Sequence, residues 1–248
     1  MLCSSCKLEI EERANFCPHC GVSVGKKEGS VAKQDMNLII TFYLVEIVFL
    51  VIAYLVYRQE VSLTIDIIIE SISAIIVLGF VSLDFKNVIR LYRFPKINPL
   101  LYLGAIIIPI FTGVIVYYGI ELVNSELFFE NYNMYADYAL YPNSLFWAFL
   151  FVTITPPIFE ELAYRGFLFN QLQKVTSTKI TIILTAFIFA LVHFSIISLL
   201  WIFPFGLLLG YLRHKYDTLW LGIIIHFIHN LIVLSLDYYY FDTTLLEL

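Results

Sequence analysis

The chain has 248 residues, of which 60% are hydrophobic and 14% charged, against roughly 45–50% and about 25% in an ordinary soluble domain. This excludes a water-soluble globule, and with no basic stripe carrying interleaved aromatics no nucleic-acid partner is expected. The net charge of −5 decides little, because membrane topology follows where Lys and Arg sit and hardly the total.

All four cysteines lie near the start, as Cys3-x2-Cys6 and Cys17-x2-Cys20. Two such pairs can bend around one tetrahedral zinc. Disulfides are the competing reading and need an oxidising compartment. Gly21 follows the second pair, where a tight turn favours a residue free to take positive φ. Residues 1–25 therefore read as a zinc-ribbon head with Cys3, Cys6, Cys17 and Cys20 as metal ligands. A core this small does not fold by burial alone, so structural zinc would supply most of its folding free energy. Residues 26–35, KKEGSVAKQD, read as a polar linker. The head stands where the apolar stretch of a cleavable signal peptide would be expected.

The remaining apolar runs approach the roughly 20 residues that cross a hydrocarbon core of about 30 Å. Spans are expected at 36–57, 61–83, 99–120, from 144 onward, and at 179–197, 198–212 and 219–236. Gly104, Pro109 and Gly113 interrupt the third, Pro156-Pro157 the fourth, and Pro204 with Gly206 the sixth. Such breakers are tolerated where membrane helices pack on one another. The boundary between the fifth and sixth rests on length and Pro204, and Ser195 to Leu200 reads equally as a re-entrant bend. The fold class is thus an all-α polytopic membrane helix bundle of about seven spans with a small N-terminal ribbon. Residues 36–143 hold the first spans and an outer loop, and 144–248 form the region carrying the chemistry.

With the head in the cytoplasm, every one of the 15 Lys and Arg residues except Arg58 falls on the cytoplasmic side, as the positive-inside rule requires. The loop with Glu121, Glu126, Glu130 and Asp137, and the C-terminal acids Asp237, Asp242 and Glu247, then face outward.

Ionisable groups inside hydrocarbon are costly and are functional candidates by default. They concentrate in the second half, as Glu160, Glu161 and Arg165 in PPIFEELAYRG, His193 in FIFALVHF, and His226, His229 and Asn230 in IIIHFIHN. Glu161 and Arg165 are four apart with the acid first, the better orientation for a helical ion pair. Glu160 is turned about 100° away, free to face a cavity as a base. The competing reading of these three is a charged helix end at the interface. His193 alone would more often be a packed histidine bonded to a backbone carbonyl. His226 and Asn230 share a helix face and can offer two hydrogen bonds to a developing oxyanion, whereas His229 reads as a supporting or interfacial group.

Glu-Glu-x3-Arg, Phe-x3-His and His-x3-Asn, in this order on three successive apolar segments, resemble the CAAX-protease and bacteriocin-processing (CPBP, or ABI) family, over about Ser144 to Leu236. That family includes the type II CAAX prenyl endopeptidases. The resemblance implies an intramembrane endopeptidase with Glu160 as general base, His193 its partner in activating water, and His226 with Asn230 as oxyanion stabilisers. Glu161 and Arg165 become the supporting pair and Phe189 the aromatic of the second motif.

Family members have been described both as metalloproteases and as metal-free glutamate proteases, and Glu160, His193 and His226 also suit a three-ligand zinc site. The Glu–His version is favoured here, with a water-filled cavity expected to open towards the cytoplasm. The implied setting is a bacterial cell membrane with the C-terminus outside. The implied partners are the lipid bilayer and a peptide or protein substrate, lipid-modified or not. Competing functions are a bacteriocin-immunity or envelope-regulating scaffold without catalysis, and a transporter using Glu46, Asp66 and Glu70.

Overall fold

The computed structural model describes residues 1–3, 5–11, 14, 16–22, 24, 29–128, 133–194 and 196–242. Expectations that fall on Arg13, Lys26, Lys27, Glu130 and Glu247 lie outside the described residues.

Among the described residues the membrane region is helical and no strand is present. Its helices are α1 (Gly29–Tyr57), α2 (Leu63–Ser82), a short α3 (Phe85–Arg90), α4 (Pro99–Val123), α5 (Ser144–Val175), α6 (Thr178–Leu191), α7 (Ile196–Tyr216) and α8 (Trp220–Tyr239). Of these, α2, α4, α5, α8 and α1 from Asp35 onward are long and apolar enough to cross a membrane. Side chains such as Ile75, Leu100 and Ile115 are about two-thirds exposed or more, which is unremarkable where the surrounding solvent is lipid.

Two boundaries differ from the sequence reading. The helix of α1 begins at Gly29, inside the expected linker, because Ala32, Lys33 and Gln34 are strong helix formers that extend a helix nucleated by the span behind them. Helix α6 ends at Leu191 and not near Ile197. Its 14 residues rise about 21 Å, short of the full hydrocarbon thickness. The chain then turns at Val192 and His193, with Phe194 at φ 50°, and returns as α7. The α6–α7 pair is therefore an antiparallel helical hairpin whose turn leaves Leu191 and Phe194 exposed, at 40% and 67%.

The core is built around α5. Phe167 and Phe42 of α1 lie 5.3 Å apart between ring centroids, and Phe80 of α2 stands 5.1 Å from Phe42 and 5.5 Å from Phe167. Leu91, Leu168, Leu209, Leu219 and Leu221 complete the buried centre.

Helix α5 is not uniformly α-helical, since Phe149–Ile154 and Glu161–Leu168 are π-helical and flank a short α segment at Thr155–Glu160. Pro156 and Pro157 have no N–H to give to the carbonyls one turn earlier, which disturbs the ladder where the first widened segment lies.

Close approach of helices at the site depends on glycine. Gly222 of α8 lies against Glu161 so tightly that an added Cβ would overlap its carboxylate, while Gly79 of α2 faces open space. Gly222→Ala is expected to destabilise the protein by about 1–3 kcal/mol. Gly79→Ala should be neutral or stabilise by up to about 1 kcal/mol. Thermal unfolding of both variants in detergent, side by side, checks the difference.

Candidate functional site

The structure brings Glu160, Glu161, Arg165, Phe189 and His226 together. Arg165 and Glu161 are among the most completely buried side chains, at 0% and 1% exposed, and Arg165 Nη1 donates to Glu161 Oε1 at 2.9 Å. The guanidinium also reaches the Gly206 carbonyl at 3.4 Å through Nη2, and its Cζ lies 4.2 Å from the Phe189 ring centroid. A cation in apolar surroundings is thereby held by a carboxylate, a carbonyl and an aromatic face.

His226 stands between the two glutamates. Its Nε2 is 3.7 Å from Glu160 Oε2 and its Nδ1 3.6 Å from Glu161 Oε1, both longer than a hydrogen bond. Glu160 Oε2 and His226 Nδ1 are buried without a hydrogen-bond partner among the described residues. The two glutamates differ as their neighbouring positions imply: the Glu161 side chain is sealed at 1% exposure, while that of Glu160 keeps 30%.

Asn230 is fixed by the double proline. The carbonyl four residues before Pro156 is that of Val152, and it accepts from Asn230 Nδ2 at 2.9 Å. The missing proline N–H is thus replaced by a side-chain donor from another helix. One of the two amide N–H groups is used in this way, and one remains.

His193 sits in the α6–α7 turn, and its Nδ1 is 2.8 Å from the Phe189 carbonyl. A carbonyl only accepts, so Nδ1 carries the proton and Nε2 is the atom left with a lone pair in the neutral ring. His229 accepts from Trp201 Nε1 through Nε2 at 3.3 Å.

A cavity of about 680 Å³ is lined by Glu160, Phe189, His193, His226, His229 and Asn230 together. Residues 142–232 match the family model described as type II CAAX prenyl endopeptidase Rce1-like. The match covers 91 of the 248 residues and makes this stretch similar to the CAAX-protease (CPBP) family. No curated protein and no solved structure matches the chain. The Rce1-like family is one of membrane-embedded peptide hydrolases, and every motif residue read from the sequence falls within the matched stretch.

The cavity of the Rce1-like segment does not run towards the basic side of the bundle, as the sequence reading expects. It extends along α8 past Val233 and Asp237 to Tyr240 and Asp242, and across to Glu121 and Asn124 at the end of α4. The physical reason is the plug on the other side. There the sealed Glu161–Arg165 pair is backed by Arg213, which donates to the Arg165 carbonyl at 3.0 Å, to Asn170 Oδ1 at 3.0 Å and to Asp217 Oδ1 at 2.9 Å. Asn170 in turn donates to Asp84 at 2.9 Å.

Sequence reasoning missed this polar lock. Its signal was the group Asp84, Asn170, Arg213 and Asp217, all within about a turn and a half of a helix end. A smaller cavity of about 180 Å³ joins Glu46 and Ser73 to Glu160 and His193 from the α1–α2 side. Asp237, read as part of an acidic tail, is instead inside α8, 3% exposed, and accepts the Met134 N–H at 3.1 Å.

The head consists of one turn used twice. The Cys3 N–H donates to Leu8 O and the Lys7 N–H to Cys3 O, and likewise the Cys17 N–H to Val22 O and the Gly21 N–H to Cys17 O. The residue after each pair takes the left-handed conformation, Lys7 at φ 60° and Gly21 at φ 74°. The four sulfurs lie within 4.8 Å of one another, with Cys3–Cys20 at 3.7 Å and Cys6–Cys17 at 3.4 Å. Tetrahedral ligands at a Zn–S distance of about 2.3 Å stand about 3.8 Å apart, so the four thiols are placed to hold one metal ion of zinc's size.

The N–H of Cys6 lowers the Cys3 thiol to about 6, whereas burial pushes the Cys17 thiol up to about 12. Binding a metal there expels protons and weakens as pH falls. The head rests on the membrane region through Thr178 Oγ1, which donates to the Pro18 carbonyl at 2.7 Å.

Removing one partner of the sealed pair leaves the other charge buried. Arg165→Met is therefore expected to cost about 3–5 kcal/mol, and Arg165→Met with Glu161→Leu distinctly less. Denaturation midpoints of the single and double variants test this.

Proposed function

We propose that the protein is an intramembrane endopeptidase that cleaves membrane-associated peptides or proteins, with Glu160 as the general base. The observation that carries this reading is the convergence of Glu160, His193, His226 and Asn230 on one cavity, with Glu160 reachable from it while the neighbouring Glu161 is sealed.

In the proposed reaction Glu160, assisted by His193 Nε2, takes a proton from water as the oxygen attacks the peptide carbonyl carbon. His226 and the free N–H of Asn230 stabilise the resulting oxyanion. The C–N bond then breaks as the proton passes to the amine, giving one carboxyl and one amino product. Glu161 and Arg165 hold their helices against one another and keep His226 between the two glutamates. The head is proposed to carry one structural zinc on the cytoplasmic side.

Glu160→Gln and His193→Ala should abolish cleavage of membrane peptides while leaving expression and insertion near normal. Asn230→Ala should lose rate by about 10²-fold or more, as other oxyanion donors do. Peptide cleavage profiling measures all three, and wild-type cleavage by Glu160→Gln would remove the assigned base.

A variant with all four cysteines replaced separates structural from catalytic metal. It is expected to be metal-free and active, whereas the native chain holds one equivalent of zinc that is released on acidification. Stoichiometric zinc in the cysteine-less protein, lost together with activity on mutating His226, would make Glu160, His193 and His226 metal ligands instead.

A further inference from the structure

The head contacts the start of α6 through Thr178, and α8 begins on that same side, where the Leu219 N–H donates to Leu91 O at 3.0 Å. Glu121, Asp237 and Asp242 therefore lie at the opposite end of the bundle, and these are cavity-lining residues. From His226 to Asp237 the helix rises about 16 Å. Towards the head, by contrast, the way is stopped by the buried Glu161–Arg165 pair and Arg213.

The lining changes character along this path. Among the described residues its acidic members are Glu121, Glu160, Asp237 and Asp242, with no Lys or Arg. Between the acidic mouth and the floor the walls are apolar, including Phe151, Trp201 and Val233. Two imidazoles, His226 and His229, line the deep part, with His226 Nδ1 turned to the sealed Glu161 and His229 Nδ1 beside Gly113 of α4. The Glu160 carboxylate, 30% exposed with Oε2 unpartnered, and the second N–H of Asn230 are the polar groups of the lining left with hydrogen-bonding capacity, and a peptide backbone with its own donors and acceptors can meet them.

We propose that substrate enters from the face opposite the cysteine head, as a peptide whose apolar stretch fills the cavity while a Lys or Arg stays at the Glu121–Asp237 mouth. A depth of about 16 Å at about 3.3 Å per extended residue puts the basic residue about five positions from the scissile bond. What happens at the floor rests on the protease reading; the direction of access and the charge preference do not.

The test begins with access. Val233→Cys, or Asn124→Cys at the mouth should the first fail to fold, is introduced into the full chain in sealed vesicles of either orientation. Each is treated with membrane-impermeant cationic or anionic thiosulfonates. Mass spectrometry distinguishes the labelled residue from the head cysteines, and protease cleavage of an N-terminal tag reports the side of the head.

Labelling is expected only from the face opposite the head, about tenfold faster with the cationic reagent, with the bias lost in Glu121→Lys. Labelling from the head's face, or equal rates for the two reagents, overturns the proposal. Cleavage comes second: a peptide with Lys five positions from the bond should have KM about tenfold lower than its Glu counterpart, and Glu121→Lys should reverse the order. If labelling behaves as expected but no peptide is cleaved, the access route stands and the protease reading fails.

Discussion

The architecture turns on one ion pair. A guanidinium sealed from water inside an apolar bundle is tolerable only with its charge matched and its donors engaged. Arg165 is held by Glu161, the Gly206 carbonyl and the Phe189 ring, with Nε left unpartnered among the described residues, so α5, α6 and α7 must come together at one point. Glycine at 206 and 222 is the corollary, since an added Cβ would stand 3.3 Å from Arg165 Nη2 in one case and overlap Glu161 in the other. His226 is carried into place on the same face of α8, one turn after Gly222. The accessible carboxylate of the adjacent pair, Glu160, is defined by contrast with a neighbour that is already committed.

The same pair divides the bundle into a closed end and an open one. On the head side, Arg213 links α7 to Asn170 of α5 and to Asp217, and Asp84 joins the lock through Asn170. On the other side the helices part to leave the long cavity. Among the described residues, three of those with an unpartnered buried polar atom, Glu160, His226 and His229, line the cavity.

Much of this was legible in the sequence because hydrocarbon imposes a simple length rule and makes charged residues conspicuous. The helical spans, the Glu161–Arg165 pairing and the thiol cluster follow from spacing alone. The position of His193 did not, because the stretch from Phe187 to Leu212 is almost uninterrupted apolar sequence. A turn between two helices surrounded by lipid need not announce itself with the polar residues that mark turns in water. Nor did the bond from Asn230 to Val152, which depends on a vacancy in another helix. The direction of the cavity was misjudged for a related reason: Arg165 marks proximity to the basic face, but a buried cation obstructs that face and does not open it.

The Val152–Asn230 bond makes residues on separate helices answer to one another. Pro156 leaves a carbonyl unserved, and Asn230 serves it. If an ordinary residue replaced the proline, its own N–H would compete for that carbonyl and release the amide into the cavity. If Asn230 were lost first, the carbonyl would be stranded in a medium with no water to spare. The two positions are therefore expected to drift as a pair over evolutionary time, so that a helix irregularity on one segment and a polar side chain 74 positions later in the sequence are inherited as a single unit.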